Sequence, residues 1–382
     1  MSRTCDVVVA GGSIAGLVFA SEAAKLGLSV LVAEEHPEVG EPEKCDGLVS
    51  LKGLRKHGYP PEGGTIQDQI DSAVLHSPSG KRFTADAAAL EVVVLDRSVY
   101  DKQVAAAAEA AGAAVMTGCR VGEALEMDDS VRVKVGEEEV QAKFLVDATG
   151  PASSPKHGIL PAAKYEVEGE WIRQHVVEVF LDAGKYPGFF AWVIPFGKHR
   201  AKVGAAGRGV NPFKALDEFL EGRSTTVLRK VAAPIYIGGP AQSFVRGRRI
   251  FVGESAGQVK PTTAGGIMTS IAGAATAARW VSSSIHKSRP SLLDGYQKEW
   301  EGEFMKEMKT MMRLRGVFEK LSNQDLEGVF SVLAASKLAQ KLSQTDFDFH
   351  ATALLGALGM PGLLKIAGVV ASAEVRSLLP ER

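Results

Sequence analysis

The chain has 382 residues, of which 45% are hydrophobic and 23% are charged, and its formal net charge is −1. This length suits a two-lobed enzyme better than one simple core, because domains usually hold about 100–200 residues. A net charge so close to zero provides no bulk field to attract nucleic acid, which excludes a nucleic-acid partner.

The first residues predict a strand, a glycine turn, a helix and a second strand. Residues 5–10 and 29–33 are continuous apolar runs, and residues 17–26 have helical apolar spacing that ends at Gly27, a candidate C-cap. Continuous apolar strands around a helix indicate a parallel sheet that is covered on both faces.

The rest of the chain alternates between predicted strands, helices and one loop-rich stretch at residues 36–65. Further helices are expected at residues 101–111, 217–221, 265–284 and 294–345. Further strands are expected around the turn at 77–80, near Val115, and at 131–135, 144–146, 165–210 and 249–253.

The segment Gly11-Gly12-Ser13-Ile14-Ala15-Gly16 matches the glycine turn of a dinucleotide fold. In that turn the first glycine makes the bend, the second lets the backbone approach a diphosphate, and the third packs helix on strand. Ser13 stands at the second glycine position, with a hydroxyl able to bond a phosphate. Glu34 ends the next strand, where a ribose-binding acid belongs. A turn without a ligand is the alternative interpretation.

Two later segments favour FAD over NAD. Asp147-Ala148-Thr149-Gly150 follows a strand and suits closure on a cofactor, although an ordinary strand-end turn has the same composition. The strand at 249–253 ends in Gly253 and Glu254, and a glycine-rich bend then opens the helix at Gly265. The acid can accept from a polyol hydroxyl, and the helix N-terminus can stabilise negative charge on a reduced flavin ring.

Taken in order, these motifs and the pair Asp96-Arg97 resemble the para-hydroxybenzoate hydroxylase superfamily of flavoproteins. Within it the chain is most similar to the archaeal geranylgeranyl reductases, of the digeranylgeranylglycerophospholipid reductase type. Residues 40–47, with Cys45, resemble the family's loop near the flavin. Residues 187–195 resemble its Pro-x-x-Tyr-x-Trp-x-Phe-Pro signature over the lipid cavity. The likeness spans residues 1–300, with Phe190 in place of Tyr, Ile194 in place of an aromatic residue and Glu254 in place of Asp.

The resemblance implies an α/β fold. A Rossmann-like FAD-binding domain of the para-hydroxybenzoate hydroxylase type would be interleaved with an antiparallel-sheet substrate domain and followed by C-terminal helices. We expect the FAD-binding domain at residues 1–65, 90–160 and 240–290. We expect the substrate domain at 66–89 and 161–239, and the helical region at 291–382.

The resemblance also implies a set of site residues. Those facing FAD would be Gly11, Ser13, Ala15 and Gly16 at the diphosphate, Glu34 at the adenosine ribose, Arg97 along the adenine diphosphate, Lys44 and Cys45 near the diphosphate and ring, Gly150 in the closing turn, and Glu254, Gly265, Gly266 and Ile267 at the ribityl chain and ring. Those facing the substrate would be Phe190, Trp192 and Pro195.

Reduction of an unactivated alkene needs a hydride donor close to one carbon and a proton for the other. A polyprenyl tail requires an apolar, aromatic wall, which would be supplied by Phe189, Phe190, Trp192 and Ile194, with plain sheet core as the alternative. Cys45 is the candidate proton donor or redox partner if Lys44 or a helix end lowers its pKa, and an inert loop thiol is the alternative.

Other residues carry weaker signals. The three cysteines fit neither a disulfide framework nor a zinc site, which predicts a reduced, cytoplasmic setting, and the scattered histidines lack metal-ligand spacing. The methionine-rich stretch at 304–315 indicates an amphipathic helix, in the core or on a dimer surface, with membrane contact as the second interpretation. The apolar tail at 351–379 could reach a lipid or simply be buried.

The favoured function is therefore an FAD-dependent prenyl reductase that acts on an isoprenoid lipid. Its electron donor would be NADPH or ferredoxin, and it would either be free in the cytoplasm or contact the inner face of the cell membrane peripherally. The competitors are a flavin monooxygenase or halogenase acting on an aromatic substrate, and a non-catalytic flavin- or lipid-binding protein.

Overall fold

The computed structural model describes residues 3–154, 156–334, 347–348, 351–352, 355–356 and 368. Part of the predicted helix at 294–345 and most of the apolar tail at 351–379 lie outside these residues. No helix in the described ranges is long and apolar enough to cross a membrane.

The strands are short and spread over the whole described chain. They are β1 Arg3–Ala10, β2 Val30–Ala33, β3 Leu48–Ser50, β4 Ile66–Ile70, β5 Ser72–His76, β6 Arg82–Asp86, β7 Val92–Leu95, β8 Ala114–Met116, β9 Val121–Glu126, β10 Val131–Val135, β11 Glu138–Asp147, β12 Ile159–Leu160, β13 Ala162–Glu168, β14 Val176–Phe180, β15 Ala191–Pro195, β16 Arg200–Ala206, β17 Thr226–Ala232, β18 Ile235–Tyr236, β19 Val245–Arg246 and β20 Arg249–Phe251.

The α-helices lie mainly at the start and in the last third of the described chain. They are α1 Ile14–Lys25, α2 Leu51–Lys56, α3 Arg97–Ala110, α4 Pro212–Leu220, α5 Ile267–His286, α6 Asp294–Phe318 and α7 Asn323–Ala334.

One sheet holds the glycine turn. Its strands run in the order β19-β20-β11-β1-β2-β8. All neighbouring pairs from β20 to β8 in this order are parallel. Val7 and Val9 of β1 point to the core built with α1 and α5, whereas Val8 points to the core beneath β9 and β10. Residues 7–10 of β1 and 30–33 of β2 are apolar and buried at every position, because helices cover one face of the sheet and the β-meander formed by β9, β10 and β11 covers the other.

A second, seven-stranded sheet has the order β17-β13-β16-β15-β14-β5-β6. Its pairs are antiparallel except β14 with β5, which run parallel. Along β15, Ala191 and Val193 face a core closed by α4, while Trp192 and Ile194 face the opposite way. This alternation gives the seven-stranded sheet a second inner face. That face is turned toward the loops of the sheet that carries the glycine turn.

Most predicted elements are found, with local corrections. The predicted end of the first helix at Gly27 is confirmed, although the C-cap itself is Leu26. Gly27 follows it with φ +83°, and Leu28 N–H donates to the Ala23 carbonyl in a Schellman motif. The loop-rich stretch at 36–65 also contains β3 and α2, and the third helix begins at Arg97 rather than at residue 101, because Asp96 caps it by accepting from Val99 N–H. The proposed domain bounds stay a prediction.

The methionine-rich stretch lies on α6. Met308 and Met311 are buried in the main core, while Met312 is 37% exposed. The core interpretation is therefore confirmed for the first two. The buried Trp300 and Phe304 lie on the same face of α6, so this helix packs against the dinucleotide-type half of the molecule.

Candidate active site

A cleft of about 520 Å³ opens where β1, β2 and β11 end. Loops after parallel strands meet at the carboxyl edge of a sheet, which is where such folds bind ligands. The lining residues come from the glycine turn, the end of β2, the 40–45 loop, the start of α3, the turn after β11 and the start of α5. From the predicted cofactor set they include Gly11, Ser13, Ala15, Glu34, Lys44, Cys45, Arg97, Gly150, Glu254, Gly266 and Ile267.

The glycine turn is shaped by two close approaches. Gly11 has φ +104°, and a Cβ there would lie 2.6 Å from the Ala148 carbonyl oxygen. Gly16 lies behind the turn, where a Cβ would overlap the Gly11 carbonyl oxygen and approach Val9 Cγ1 to 3.1 Å. Gly16 therefore packs helix on strand and is not among the lining residues. Its predicted contact with the diphosphate stays a prediction.

Two helices point their N-termini into this cleft. Ser13 occupies the N-cap position of α1 and Gly266 that of α5, but neither makes a side-chain capping bond, and neither helix has an acid in its first turn. In this sense both helix ends are uncapped. The first backbone N–H groups of a helix lack an intrahelical acceptor and attract negative charge. This pair of helix ends fits the diphosphate at α1 and the electron-rich ring edge of a flavin at α5.

The predicted flavin-side glycines are placed differently from each other. Gly266 and Ile267 line the cleft, whereas Gly265 packs against Lys260, whose Cε would lie 2.9 Å from an added Cβ. The Gly265 carbonyl accepts from Lys260 N–H at 3.0 Å. Gly265 thus shapes the bend that precedes α5, and its contact with the flavin stays a prediction.

Glu34 directly follows β2, as the motif spacing predicts. Its Oε2 accepts from Gly12 N–H at 2.7 Å, and its Oε1 lies 2.5 Å from His36 Nδ1. The side chain is 11% exposed. The carboxylate is held at the rim of the glycine turn, where a ribose hydroxyl would donate to it.

Arg97 is fixed by a bidentate ion pair. Its Nε and Nη2 donate to the two carboxylate oxygens of Asp101 at 2.8 and 2.9 Å, and Nη2 also donates to Ser13 Oγ at 3.2 Å. Burial alone would lower the pKa of Arg97, but the Asp101 carboxylate and the adjacent Cys45 side chain raise it. The guanidinium stays charged and connects α3 to the glycine turn and to Cys45.

The turn after β11 is organised by one buried acid. Burial alone would raise the pKa of Asp147, but hydrogen bonds from Thr149 and Ser153 and the charge of Arg249 hold it below its usual range. Ser255 Oγ also donates to Asp147 at 3.1 Å, which joins this turn to the segment that follows β20. Gly150 then enters the cleft with φ +71°.

Glu254 lines the cleft beside Gly150. Its Oε2 lies 3.6 Å from the position of a Cβ on Gly150, and its Oε1 accepts from Tyr236 N–H at 3.0 Å. Burial raises the pKa of Glu254 to about 7, against the lowering effect of the Tyr236 bond. The carboxyl can therefore exchange a proton near neutral pH, and it can accept from a polyol hydroxyl when ionised.

Cys45 is an exposed thiol on the loop at the edge of the cleft. Gly47 N–H donates to Cys45 Sγ at 3.5 Å, and the Arg97 guanidinium lies next to the thiol. Lys44, which is also exposed, lines the same edge. Cys45, Arg97 and Lys44 therefore line the same cleft.

The aromatic segment 187–195 forms a cluster beside the cleft. Phe189 and Phe190 stack with ring centroids 4.0 Å apart, and Trp192 meets Phe190 edge-on at 6.0 Å. Ala264, which lines the cleft, packs on the same cluster. Pro195 is buried at the end of β15. Phe190, Trp192 and Pro195 are not among the described residues that line the cleft, so their substrate contacts stay a prediction.

The sequence did not single out Asp101, Lys164 and Lys202. Lys164 is 1% exposed and Lys202 is 0% exposed, and both lie on the inner face of the seven-stranded sheet. A helix predicted to start after an Asp96 cap would have placed Asp101 one turn after Arg97, at the i, i+4 spacing of an ion pair. The signal for each lysine is a cation directly between two hydrophobic residues of its strand.

Two helix N-termini without side-chain caps and two acids, Glu34 and Glu254, line one cleft, which is the arrangement expected of an FAD-dependent oxidoreductase. In agreement, the family model for FAD dependent oxidoreductases matches residues 6–167. The fold is that of a geranylgeranyl bacteriochlorophyll reductase-like protein from Thermoplasma acidophilum, with a TM-score of 0.85 at 22% identity over 98% of this chain and 100% of that one.

The chain is 31% identical over 371 residues to digeranylgeranylglycerophospholipid reductase 1 of Methanopyrus kandleri, covering 89% of this chain and 97% of the relative. It belongs to the digeranylgeranylglycerophospholipid reductase family. A flavin-dependent brominase shares the fold at a TM-score of 0.66 and 16% identity, over 98% of this chain and 99% of that one. The likeness to the brominase is one of fold alone, and the monooxygenase or halogenase alternative is not favoured.

Proposed function

We propose that this protein hydrogenates the C=C bonds of geranylgeranyl chains in an archaeal-type membrane lipid precursor, with FAD as its cofactor. The observation that carries the proposal is the cleft itself. It brings two uncapped helix N-termini, Glu34 and Glu254 together with the exposed thiol of Cys45. Membership in the reductase family supports the choice of substrate class.

The predicted site residues would each bind a different part of FAD. The N–H groups at Ser13 and Ala15 would hold the diphosphate, with Glu34 at the ribose and Arg97 beside them. Gly266 and Ile267 would face the ring from the start of α5, and Glu254 would accept from the ribityl chain. When bound and reduced, FAD supplies a hydride to one carbon of the alkene.

The chain's own chemical task is then to deliver a proton to the other alkene carbon. We assign this to Cys45: the S–H bond breaks, a C–H bond forms, and the electron pair left on sulfur is stabilised by the neighbouring Arg97 guanidinium. Water returns a proton to the thiolate. The product gains two hydrogens per double bond, one from each donor.

The prenyl chain needs a wall that excludes water. Phe190 and Trp192 would provide it, because they stand on one face of the sheet and meet the cleft through Ala264. Pro195 ends the same strand. Dry aromatic contact also holds an alkene near the cofactor without polar groups that would compete for the proton.

The reducing equivalents and the place of action are further parts of the proposal. NADPH and ferredoxin are both retained as donors, and stopped-flow reduction of the bound flavin by each would separate them. Because the substrate is a membrane lipid, we propose peripheral contact with a membrane. Co-sedimentation with vesicles that contain isoprenoid phospholipids would test this, and a protein that stays entirely in the supernatant would contradict it.

A single-turnover experiment tests the activity. The purified holoprotein is reduced anaerobically with dithionite and mixed with a digeranylgeranylglycerophospholipid, and flavin absorbance and product mass are followed. We expect reoxidation with saturated lipid. Cys45→Ala should keep its flavin and slow turnover about a hundredfold or more, whereas Cys119→Ala should match the wild type. Oxygen uptake with an aromatic compound, without anaerobic reoxidation by the lipid, would refute the proposal.

A further inference from the structure

The loop at residues 41–46 is held by the seven-stranded sheet. Four neighbouring strands each contribute one side chain to it, namely Arg229 of β17, Lys164 of β13, Lys202 of β16 and Trp192 of β15. The loop follows β2 in the chain, yet its polar contacts lead to the sheet that carries the aromatic cluster. It therefore joins the two halves of the molecule.

The two lysines make the closest contacts to the centre of the loop. Lys164 Nζ donates to the Cys45 carbonyl at 2.9 Å. Lys202 Nζ bonds Glu43 Oε1 at 2.5 Å and the Asp46 carbonyl at 3.2 Å. The Cys45 and Asp46 carbonyls and the Glu43 carboxylate are thus bound to buried ammonium groups.

The cluster is balanced in charge. Glu43 is 7% exposed, and its Oε1 also lies 3.9 Å from Lys164 Nζ, while Asp46 Oδ1 lies 3.8 Å from the same nitrogen. Two ammonium groups therefore meet two carboxylates. Trp192 Nε1 donates to Asp46 Oδ2 at 2.8 Å, so the indole is tied to the same loop.

A buried ionic cluster of this kind adds little net free energy to the stability of the loop. Desolvating several charges offsets most of their mutual attraction, and apolar side chains of similar volume often stabilise a fold equally well. What the ionic arrangement adds is a defined geometry, because each ammonium fixes the direction of several acceptors at once. The ends of the loop are equally constrained, since a Cβ on Gly40 would lie 2.8 Å from Ser98 Cα and one on Gly47 would overlap the Leu95 carbonyl oxygen.

We propose that Lys164 and Lys202 are positioning residues that hold the Cys45 thiol against Arg97 and toward the substrate sheet. This rests on the proposed reduction, in which Cys45 supplies the proton. Because the lysines stand on the sheet that bears Trp192, the thiol keeps its place relative to the aromatic wall as well as to the cleft. The charged groups around the thiol are Arg97 with its partner Asp101, Lys44 and Asp46 on the loop, and the two lysines with Glu43.

The test compares Lys164→Met and Lys202→Met with Lys134→Met, which removes a half-exposed lysine on β10. All variants are made as holoenzyme in a background with Cys5 and Cys119 replaced by Ala, so that Cys45 is the single thiol. The rate of Cys45 alkylation by iodoacetamide is measured from pH 6 to 10. Lipid kcat, lipid KM, bound flavin and the unfolding midpoint are measured beside it.

We expect the two buried-lysine variants to keep their flavin but to change the alkylation rate of Cys45 by fivefold or more, with a shifted pH profile. Their kcat should fall by tenfold or more while KM stays within twofold, and Lys134→Met should match its parent. Lys202→Arg should restore part of the kcat. If a methionine variant loses its flavin, Glu43→Gln takes its place, because it removes the charge partner of Lys202 and keeps the shape.

Two results separate this inference from the activity on which it rests. A parent enzyme that does not saturate the lipid would overturn the proposed function. A parent that saturates the lipid, with buried-lysine variants that lose only thermal stability and keep the alkylation profile and kcat of the parent, would overturn the positioning role alone.

Discussion

Gly204 of β16 lies directly beneath the indole of Trp192, its partner on β15. A Cβ at this position would lie 2.6 Å from Trp192 Nε1 and closer still to two carbons of the ring. Ordinary contacts need about 3.5–4 Å, so Gly204→Ala must move the indole by roughly 1 Å or more. The bond from Nε1 to Asp46 Oδ2, now 2.8 Å, would then exceed hydrogen-bonding range.

The magnitude follows from these two effects. A hydrogen bond to a charged group contributes about 1.5–3 kcal/mol, and overpacking costs about 1–3 kcal/mol. We expect Gly204→Ala to lower the free energy of unfolding by about 3–5 kcal/mol. Because the indole leaves the aromatic wall, lipid KM should rise about tenfold, which corresponds to about 1.4 kcal/mol of binding. Flavin content should not change.

The assay is urea unfolding followed by tryptophan fluorescence, together with steady-state lipid reduction. Gly122→Ala is the matched control, since Gly122 is also a strand glycine with ordinary backbone angles, and the nearest atom to an added Cβ is 3.6 Å away. In a Trp192→Phe background the effect of Gly204→Ala should shrink, because the smaller ring leaves room. Equal midpoints and KM values for the Gly204 and Gly122 variants would refute the reasoning.

Three other predictions concern the cleft. Gly16→Ala should abolish flavin retention, because its Cβ overlaps the Gly11 carbonyl oxygen. Gly302→Ala on α6, where an added Cβ would have no described atom within 4 Å, should be neutral or stabilise by up to about 1 kcal/mol, and flavin absorbance of the purified proteins decides. Arg97→Met should lower the free energy of unfolding by about 3–5 kcal/mol, because it leaves the buried Asp101 carboxylate without its charge partner. The double variant with Asp101→Leu should regain most of that stability in urea titrations, and losses that simply add would contradict the pairing. The raised pKa of Glu254, about 7, makes its protonated form the one the fold favours, so its contribution is full below pH 4.5 and is lost as pH rises through 7. Flavin-free wild type should therefore lose stability relative to Glu254→Gln between pH 5 and 8, and parallel unfolding midpoints over that range would disprove it.

Parts of the site that lie close together in the chain could be predicted from the sequence. Gly11, Gly16 and Glu34 belong to one strand–turn–helix–strand unit, so their spacing alone places them at one sheet edge. The segment of Glu254, Gly266 and Ile267 is equally local. These residues need only backbone angles and helix ends to be in place, and those follow from nearest neighbours in the chain.

The placement of the loop with Cys45 could not be predicted in this way. Lys164 donates to a carbonyl 119 residues away, and Trp192 donates to a carboxylate 146 residues away. Strand alternation shows that Ile194 shares a face with Trp192. It shows neither the register that pairs Lys202 with Ile194 nor what packs against that face. A lysine between apolar neighbours in a strand does not indicate a function until its ionic partners are known.

The sequence by itself therefore determined the class of cofactor and predicted the half of the candidate site that would bind it, because glycine turns and helix ends are local structures. Only the tertiary structure decided how the thiol of Cys45 is held and how it is tied to the aromatic wall. The physical reason is that ion pairs and packing between separate sheets depend on how two surfaces pack against each other. The residue spacing within one segment does not determine that packing.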